Sequence, residues 1–595
     1  MLALDGGERV RETVPVSDIL QPSVQDTDIL SGRGTGRWRP PLWILAAACA
    51  ATWTALYLYT LLNQPVGVLW SSPWRPAAAF VLHLPYMATL VLIGLGLIER
   101  IGYFRKGRAS VPPGSLPRRL PSVCVQLPMF NESAVAARVV EAAAALDWPA
   151  DRLSIQVLDD STDPDTKKAV EAICDRVERR TGVRCAFLHR TDRAGYKAGA
   201  LEIGRRLTDA EYIAIFDADF VPDPTYLRRT VPHFYDAGGS PRRDLALVQA
   251  QWGHLNDDEN LLTGAQALWV DDHHTLQQSW RSATLGFVNF TGTAGVWRAS
   301  AIEAAGGWRS ASLVEDCELS FRVLFAGYRT RFVRDVVVPA ELPQTLAAYR
   351  SQQKRWTQGW AQLQRLHLRR LLFEFRAGPF RKAQLLHLMC ISWQWPVWAM
   401  WIVVFPFLIA NGLSLAELDP GAALLAYAVP PLAFAVFAGL VATVETRSTY
   451  MDGAGRIRTS TRRRLARLIP YLVINAGMLP HHICAFAEGL FGPLHSEFER
   501  TPKTASVTAP PPGARLTSSS GLLRRAKRRP ARPAYIAVEV ALVLMQLAWV
   551  SLFVARGMLV AAAGAAWLVL CVAVLRVAPH FRRPRSRAPL RPSRA

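Results

Sequence analysis

Long apolar blocks rich in Trp, Leu and Ala bracket a middle third that reads as ordinary soluble α/β sequence, and this arrangement limits the fold more than any single motif. A membrane span takes roughly 20 apolar residues. Five stretches reach that length clearly: Trp43–Leu62, Ala77–Ile98, Leu385–Ala410, Ala422–Val444 and Tyr535–Val554. A sixth, Met558–Val574, follows at once, as the second half of a hairpin would. Neither a fully soluble protein nor a pure channel or transporter fits the pattern. The net charge of +22 over 595 residues would ordinarily point to nucleic acid. Here the Arg clusters adjoin apolar stretches, at Arg462–Arg464, Arg524–Arg525 and from Arg582 onward. Positive charge kept on the cytoplasmic side of a lipid bilayer accounts for that placement. No nucleic-acid-binding module is recognisable, so nucleic acid is not an expected partner. The eight cysteines form no CxxC pair, which argues against a structural zinc site or a disulfide framework. Residues 1–40 are polar, lack a signal-peptide type of apolar stretch and read as disordered.

The stretch Leu465–Phe491 is the difficult one, because Pro470, Asn475, Pro480, His481, His482 and Glu488 interrupt it. Parity decides its reading. With a cytoplasmic middle, the first pair of spans leaves the N-terminus inside, and the next pair returns the chain inside at the basic loop Arg456–Arg467. The connection Asn411–Gly421 has Glu417 and Asp419 and no Lys or Arg, as an outside loop would. Reading Leu465–Phe491 as interfacial or re-entrant keeps every basic cluster inside. Six spans and one interfacial segment are therefore expected.

From about Leu120 to Ala340, short apolar runs alternate with helical stretches such as Val135–Leu146 and Thr166–Arg179. Val123–Leu127, Ile155–Leu158, Tyr212–Phe216 and Ala246–Gln249 read as buried strands of a mostly parallel sheet covered on both faces. Ligands of such sheets bind at the carboxyl ends of the strands. Two strands end in acids there, one in Asp159-Asp160-Ser161-Thr162-Asp163 and one in Asp217-Ala218-Asp219. Paired carboxylates at a strand end can share one hard cation, Mg²⁺ or Mn²⁺, completed by substrate phosphates; a solvated turn is the plain alternative. A third acidic site, Glu315-Asp316 in Val314-Glu315-Asp316-Cys317-Glu318, opens a helix. A carboxylate there could act as a general base, although acids favour helix starts in any case. In Gln352-Gln353-Lys354-Arg355-Trp356, Arg355 can clamp a pyrophosphate and Trp356 offers a flat face for a sugar, within a helix that also suits the bilayer surface. Asp271-Asp272-His273-His274 looks like a metal cluster, but neighbours on a helix face different ways, so packing support is preferred to a second metal.

Together, three acidic motifs followed by Gln-x-x-Arg-Trp resemble the membrane-embedded processive glycosyltransferases of family 2, which include cellulose, hyaluronan and chitin synthases. Val125-Gln-Leu-Pro-Met-Phe-Asn131-Glu132, Leu158–Asp163, Gly195-Tyr-Lys-Ala-Gly-Ala200 and Glu341-Leu-Pro look most like the plant cellulose-synthase-like A and C branches, makers of mannan, glucomannan and β-1,4-glucan. The resemblance covers roughly residues 120–505. It implies that Asp159 and Asp160 hold the nucleotide with Lys197 near the diphosphate, and that Asp217 and Asp219 serve the metal. It further implies that Asp316, with Glu315 beside it, is the base, and that Gln352, Arg355 and Trp356 hold donor diphosphate and the terminal sugar. Gly292 and Thr293 stand in the place of an acceptor-touching loop, in wording that departs from cellulose synthase. Phe498, Thr501 and Lys503 resemble a gating loop.

The expected fold is an α/β nucleotide-sugar transferase domain, GT-A-like, inserted in an α-helical transmembrane domain of about six spans plus interfacial helices. In chain order this gives a disordered segment (1–40), two spans (41–100), the catalytic domain (118–345) and interfacial helices with Gln-x-x-Arg-Trp (346–382). Two more spans (383–445), an interfacial and gating segment (446–505), a basic linker (506–533), the last two spans (534–578) and a basic tail (579–595) follow. The expected activity is inverting, processive transfer of hexosyl units from UDP-glucose or GDP-mannose to a growing β-linked polysaccharide that crosses the membrane. A non-processive glycolipid transferase of ceramide or diacylglycerol type is the alternative, and a transporter or scaffold with a degenerate domain a distant third. Partners are the nucleotide sugar, the growing polysaccharide and the bilayer, with export or accessory proteins open. The Arg- and Ala-rich composition places the chain in a bacterial inner membrane with the catalytic domain cytoplasmic, and a plant-type Golgi membrane second.

Overall fold

The computed structural model describes residues 74–108, 111–410, 420–444, 451–452, 455–456, 461–494 and 533–577. The expected span Trp43–Leu62, the gating residues Phe498, Thr501 and Lys503, the basic stretch 506–532 and the tail lie outside the described residues.

Seven strands form one sheet: β1 (Val123–Met129), β2 (Leu153–Asp159), β3 (Arg184–His189), β4 (Tyr212–Ile215), β5 (Leu245–His254), β6 (Gly295–Arg298) and β7 (Arg329–Ala340). Their order is β3-β2-β1-β4-β6-β5-β7. Pairings are parallel except at β6, which runs antiparallel to both β4 and β5. The sheet is thus mostly parallel, as expected, and mixed through the single antiparallel strand β6. Only four residues long, β6 gives too short an apolar run to be read from sequence.

Strand pleating divides the core between the two faces. Val123, Val125, Leu127, Ile155 and Val157 pack with Val135, Val139, Val170 and Val177 of the helices Ser133–Ala144 and Pro164–Thr181. On the opposite face Ile213, Ile215, Leu247 and Trp297 meet Leu201, Ala301, Leu319 and Val323. Each fully buried aliphatic side chain contributes about 1.5–3 kcal/mol relative to exposure. This double layer fixes the carboxyl ends of β1, β2 and β4 beside one another.

Among the described residues, four helices are long and apolar enough to cross a membrane: His83–Gly107, Ile391–Ala410, Pro533–Ala555 and Leu559–Val577. Thr461–Gly477 and Leu479–Phe491 make a fifth if their pair, bent by 49°, counts as one. The described residues thus hold four or five such helices, and the first of the six expected spans lies outside them. The expected span Leu385–Ala410 is broken, since Pro379–Met389 ends one helix and a turn at Ile391–Trp393 precedes the next. On Pro533–Ala555, Val540, Leu544, Leu547 and Val554 remain exposed, an apolar outer face of the kind lipid would cover.

Buried ion pairs join these helices to the sheet domain. Glu99 accepts two hydrogen bonds of 2.8 Å from Arg281, and Arg100 grips both oxygens of Asp272. Asp271 lies 2.9 Å from His254 Nε2 and 3.1 Å from Arg464. The Asp271-Asp272 cluster is thus occupied by cationic side chains. The helix Leu346–Arg369, which carries Gln-x-x-Arg-Trp, lies along Leu479–Phe491. A Cβ on Gly489 would stand 2.3 Å from the Gln358 carbonyl, so only glycine permits this approach. Lys354 pairs with Glu488 at 3.0 Å, and Arg365 donates to the Gly489 and Gly492 carbonyls at 3.2 and 2.6 Å.

Candidate active site

Loops after β1 and β2 are knitted together by Asn131, whose φ of 53° turns its side chain back over the strand ends. Its amide oxygen accepts from the backbones of Thr162 (3.1 Å) and Asp163 (3.2 Å), and its own N–H donates to Ser161 Oγ at 2.8 Å. Asp163 caps the next helix by accepting from Thr166 N–H at 3.1 Å. These bonds hold Asp159 and Asp160 in place. Asp159 is fully buried between Ser161 Oγ (2.6 Å) and His189 Nδ1 (2.8 Å). Asp160 takes a bidentate pair from Arg190, at 2.7 and 2.6 Å.

Arg190 had no place in the sequence reading, although it sits immediately after β3 just as the acids sit after β2 and β4. The run Cys185–Leu188 of β3 is short and only partly buried, and a base instead of an acid follows it. The following segment is tightly wound, with positive φ at Arg193 (46°), Gly195 (69°) and Tyr196 (51°). Arg193 lies 3.5 Å over the Phe130 ring, and the turn delivers Lys197 into the first turn of the helix Tyr196–Arg206.

Lys197 is the hub. Its ammonium donates to Asp217 Oδ1 at 2.6 Å and to the Gly292 carbonyl at 2.7 Å. Burial opposes that charge, but Asp217, Glu315 and Asp316 more than offset it and hold the lysine above its ordinary pKa. Gly292, at φ 85°, lies so close that a Cβ there would be 3.0 Å from Asp316 Oδ2 and 3.4 Å from Lys197 Nζ. The loop Thr291–Ala294 thus brings the Asp217 strand end and the Asp316 helix into one space. Thr293 Oγ1 accepts from Asp217 N–H at 2.9 Å.

Two residues that sequence did not single out build this loop. Gln249 of β5 donates to the Thr293 and Ala294 carbonyls at 3.0 and 3.1 Å. Ser320 Oγ accepts from Phe290 N–H at 2.8 Å while donating to the Asp316 carbonyl at 2.7 Å. A buried Gln inside the otherwise apolar run Leu245–Ala250 was the available signal for Gln249.

Glu315 and Asp316 open the helix Glu315–Phe325. Asp316 Oδ1 accepts from Cys317 N–H at 2.7 Å. Burial, and then the neighbouring Asp316 charge, push Glu315 up to about 7 despite Lys197 and Arg355. Burial likewise raises Asp316 against the pull of Lys197. Arg355 is close enough to act on Glu315 electrostatically. Trp356 stacks on Trp269, with ring centroids 5.4 Å apart. Gln352 shares the helix Leu346–Arg369 with both. Asp219 is buried two residues beyond Asp217, in a turn closed by Phe220 N–H to the Asp217 carbonyl at 3.0 Å. In the helix Gln394–Ala410, Trp395, Trp398 and Trp401 are buried, Trp395 flat against His482 at 3.9 Å and Trp401 against Phe405 at 4.3 Å.

Comparison with known proteins places this geometry. Residues 124–250 match the family described as Glycosyl transferase family 2, and residues 212–415 match Glycosyl transferase family group 2. Glucomannan 4-beta-mannosyltransferase 1 of Oryza sativa subsp. japonica is 43% identical over 270 residues, 45% of this chain and 51% of the relative. Glucomannan 4-beta-mannosyltransferase 2 of Arabidopsis thaliana is 40% identical over 296 residues, 49% of this chain and 54% of the relative. The chain spans about half the length of the curated relatives it matches. A mannosyltransferase of Pyrobaculum calidifontis, solved with GDP-Man and Mn²⁺, aligns at 19% identity and a TM-score of 0.44 over 69% of this chain and 99% of its own. The glucomannan relatives are plant proteins, which overturns the expected bacterial inner membrane.

Proposed function

Because the chain carries a family 2 glycosyltransferase domain, we propose that it is an inverting, processive hexosyltransferase that lengthens a β-linked polysaccharide from a nucleotide sugar. GDP-mannose stands ahead of UDP-glucose as donor, because the plant relatives are named as mannosyltransferases of glucomannan. One observation carries the reading. Lys197, Asp217, Gly292 and Asp316, from four separate segments, meet within contact distance, as a site that joins a phosphate-bearing donor to an attacking hydroxyl requires.

The diphosphate already activates the sugar's anomeric carbon, so the protein's work is positioning and charge stabilisation. Asp159 and Asp160, the latter held by Arg190, take the nucleotide. Lys197 and Arg355 balance charge that grows on the leaving diphosphate. Asp316 takes the proton of the acceptor hydroxyl as it attacks from the opposite face. Glu315 beside it draws on the same Lys197 charge. One base and one displacement invert the anomeric centre, with no second nucleophilic carboxylate.

Asp219 and Asp217 fit a hard cation, Mg²⁺ or Mn²⁺. The Lys197 ammonium already stands against Asp217 as a cation would, and two carboxylates leave most coordination positions to phosphate oxygens and water. When bound, such an ion neutralises diphosphate charge. Gln352 and Trp356 receive the terminal sugar, while Gly292 and Thr293 border the acceptor. Phe498, Thr501 and Lys503 close over the donor. Six spans pass the product across the bilayer.

The test supplies purified, detergent-solubilised chain with Mn²⁺ and radiolabelled GDP-mannose or UDP-glucose in separate reactions. Retained label is digested with β-mannanase or cellulase. Mannanase-sensitive polymer from GDP-mannose is the expected result. Label extracted wholly into added ceramide or diacylglycerol would replace the polymer reading with the glycolipid one.

A further inference from the structure

Trp356 is stacked on a second indole, Trp269, at 5.4 Å between centroids and 19° between planes. Trp269 is in turn backed by His273, one helical turn along, at 6.3 Å and 14°. His273 is fixed by Gln277 Oε1 at 3.1 Å from its Nδ1. Burial, and then the nearby Arg281, lower its pKa to about 4, so the ring is neutral. The row Trp356, Trp269, His273 therefore runs from the helix Leu346–Arg369 into the helix Leu261–Asp271 and its continuation.

The base of that row is anchored. Asp271 is tied to His254 at the end of β5 and to Arg464, and Asp272 to Arg100. Its tip lies near the chemistry. Arg355 precedes Trp356 and acts on Glu315. Trp360, one turn after Trp356 on the same helical face, packs edge-on against Phe321 of the Asp316 helix at 6.5 Å. Among the described residues, Trp269 is the ring that meets Trp356.

We propose that Trp269 is a positioning residue for the acceptor: it backs one face of Trp356 so that a pyranose ring of the growing chain is received on the other. Indoles present apolar faces that suit the C–H side of a pyranose, and a flat platform works only while its tilt is fixed. Trp356 sits on a long helix with a side chain that can rotate, and Trp269 removes that freedom before the sugar arrives. Nothing in this role touches the donor. The inference rests on the transferase reading above and adds a residue to its acceptor side.

The experiment uses the full chain in detergent with β-1,4-mannohexaose as acceptor at saturating GDP-mannose. Acceptor KM, donor KM, kcat and hydrolysis of the donor by water are measured together. Trp269→Ala is expected to raise acceptor KM about threefold to tenfold, the range a ring–ring contact supplies. Its kcat, donor KM and donor hydrolysis stay within about twofold. Trp269→Phe, which keeps a ring in place, restores most of the acceptor affinity and guards against a mere folding defect. An unchanged acceptor KM in Trp269→Ala overturns the proposal. So does a parallel loss of donor affinity and acceptor affinity that Trp269→Phe fails to rescue, since that is structural damage. A wild-type chain that hydrolyses the donor yet never extends mannohexaose would overturn the transferase reading itself, a result distinct from either.

Discussion

Two pairs of adjacent acids sit on helices of the sheet domain, Asp271-Asp272 at the membrane junction and Glu315-Asp316 beside the Gly292 loop. The first is closed by direct partners: His254 and Arg464 on Asp271, and Arg100 on Asp272. Burial drives Asp271 upward, yet His254, Arg464 and Arg467 outweigh it and hold the carboxyl below its ordinary pKa. Asp272, with one guanidinium and Glu99 nearby, is pushed up by burial. The second pair has no direct ion pair among the described residues, and both its members are raised. A paired carboxylate is spent on structure. An under-neutralised one keeps a field that a proton, a metal-bound diphosphate or a hydroxyl can answer. Adjacent acids in sequence thus become opposite things once their cations are placed.

The sharpest way to break this comparison is to neutralise each side in turn. Asp316→Asn is expected to lower polymer synthesis by about 10²–10⁴-fold, the range of a lost general base, with GDP-mannose binding retained by calorimetry. At the junction the effect falls on stability. Arg281→Met leaves Glu99 buried without its guanidinium and should cost about 3–5 kcal/mol in unfolding of the solubilised chain. Adding Glu99→Gln recovers much of that loss.

A smaller effect separates the two pairs by pH. The Glu315 carboxyl, ordinarily at 4.5, titrates near 7 when folded, so the folded chain binds a proton that the unfolded chain has released. The stability this gives is present below the unfolded value and is lost as pH rises through about 7. Glu315→Gln should accordingly stabilise by about 2–3 kcal/mol at pH 8 and by little at pH 4, a difference visible in thermal melts. Least of all, Asp163→Ala removes a helix cap and should cost about 1 kcal/mol, leaving the Glu315 pH dependence as it was.

Legibility of the site followed the range of the interactions. Asp159, Asp160, Asp217 and Asp219 stood out because an apolar run ending in acids is a local signal, and β2 and β4 place them together at one sheet edge. Arg190 stayed hidden because the short run Cys185–Leu188 is followed by His189 and Arg190 and not by the acids that mark the other strand ends. Gly292 was read as a loop residue; its approach to Asp316 depends on β6 running antiparallel between β4 and β5, which no short-range pattern encodes. Hydropathy did not register the helix break at Cys390, whereas the 49° bend near Met478 falls in the segment whose prolines and polar residues set it apart from a plain span. Trp269 was passed over because one indole in an apolar helix looks like core until its partner is known.

The measurement closest to the central claim is the pH dependence of kcat/KM for mannosyl transfer from GDP-mannose between pH 5 and 8. Glu315 and Asp316 titrate as a unit, and the base must be free of its proton to act. The rate should rise with pH through an inflection above the ordinary carboxylate range, and Glu315→Gln should move that inflection lower by removing the like charge beside Asp316. A profile flat from pH 5 to 8, or one that Glu315→Gln leaves in place, would contradict the assignment of this pair to the chemistry.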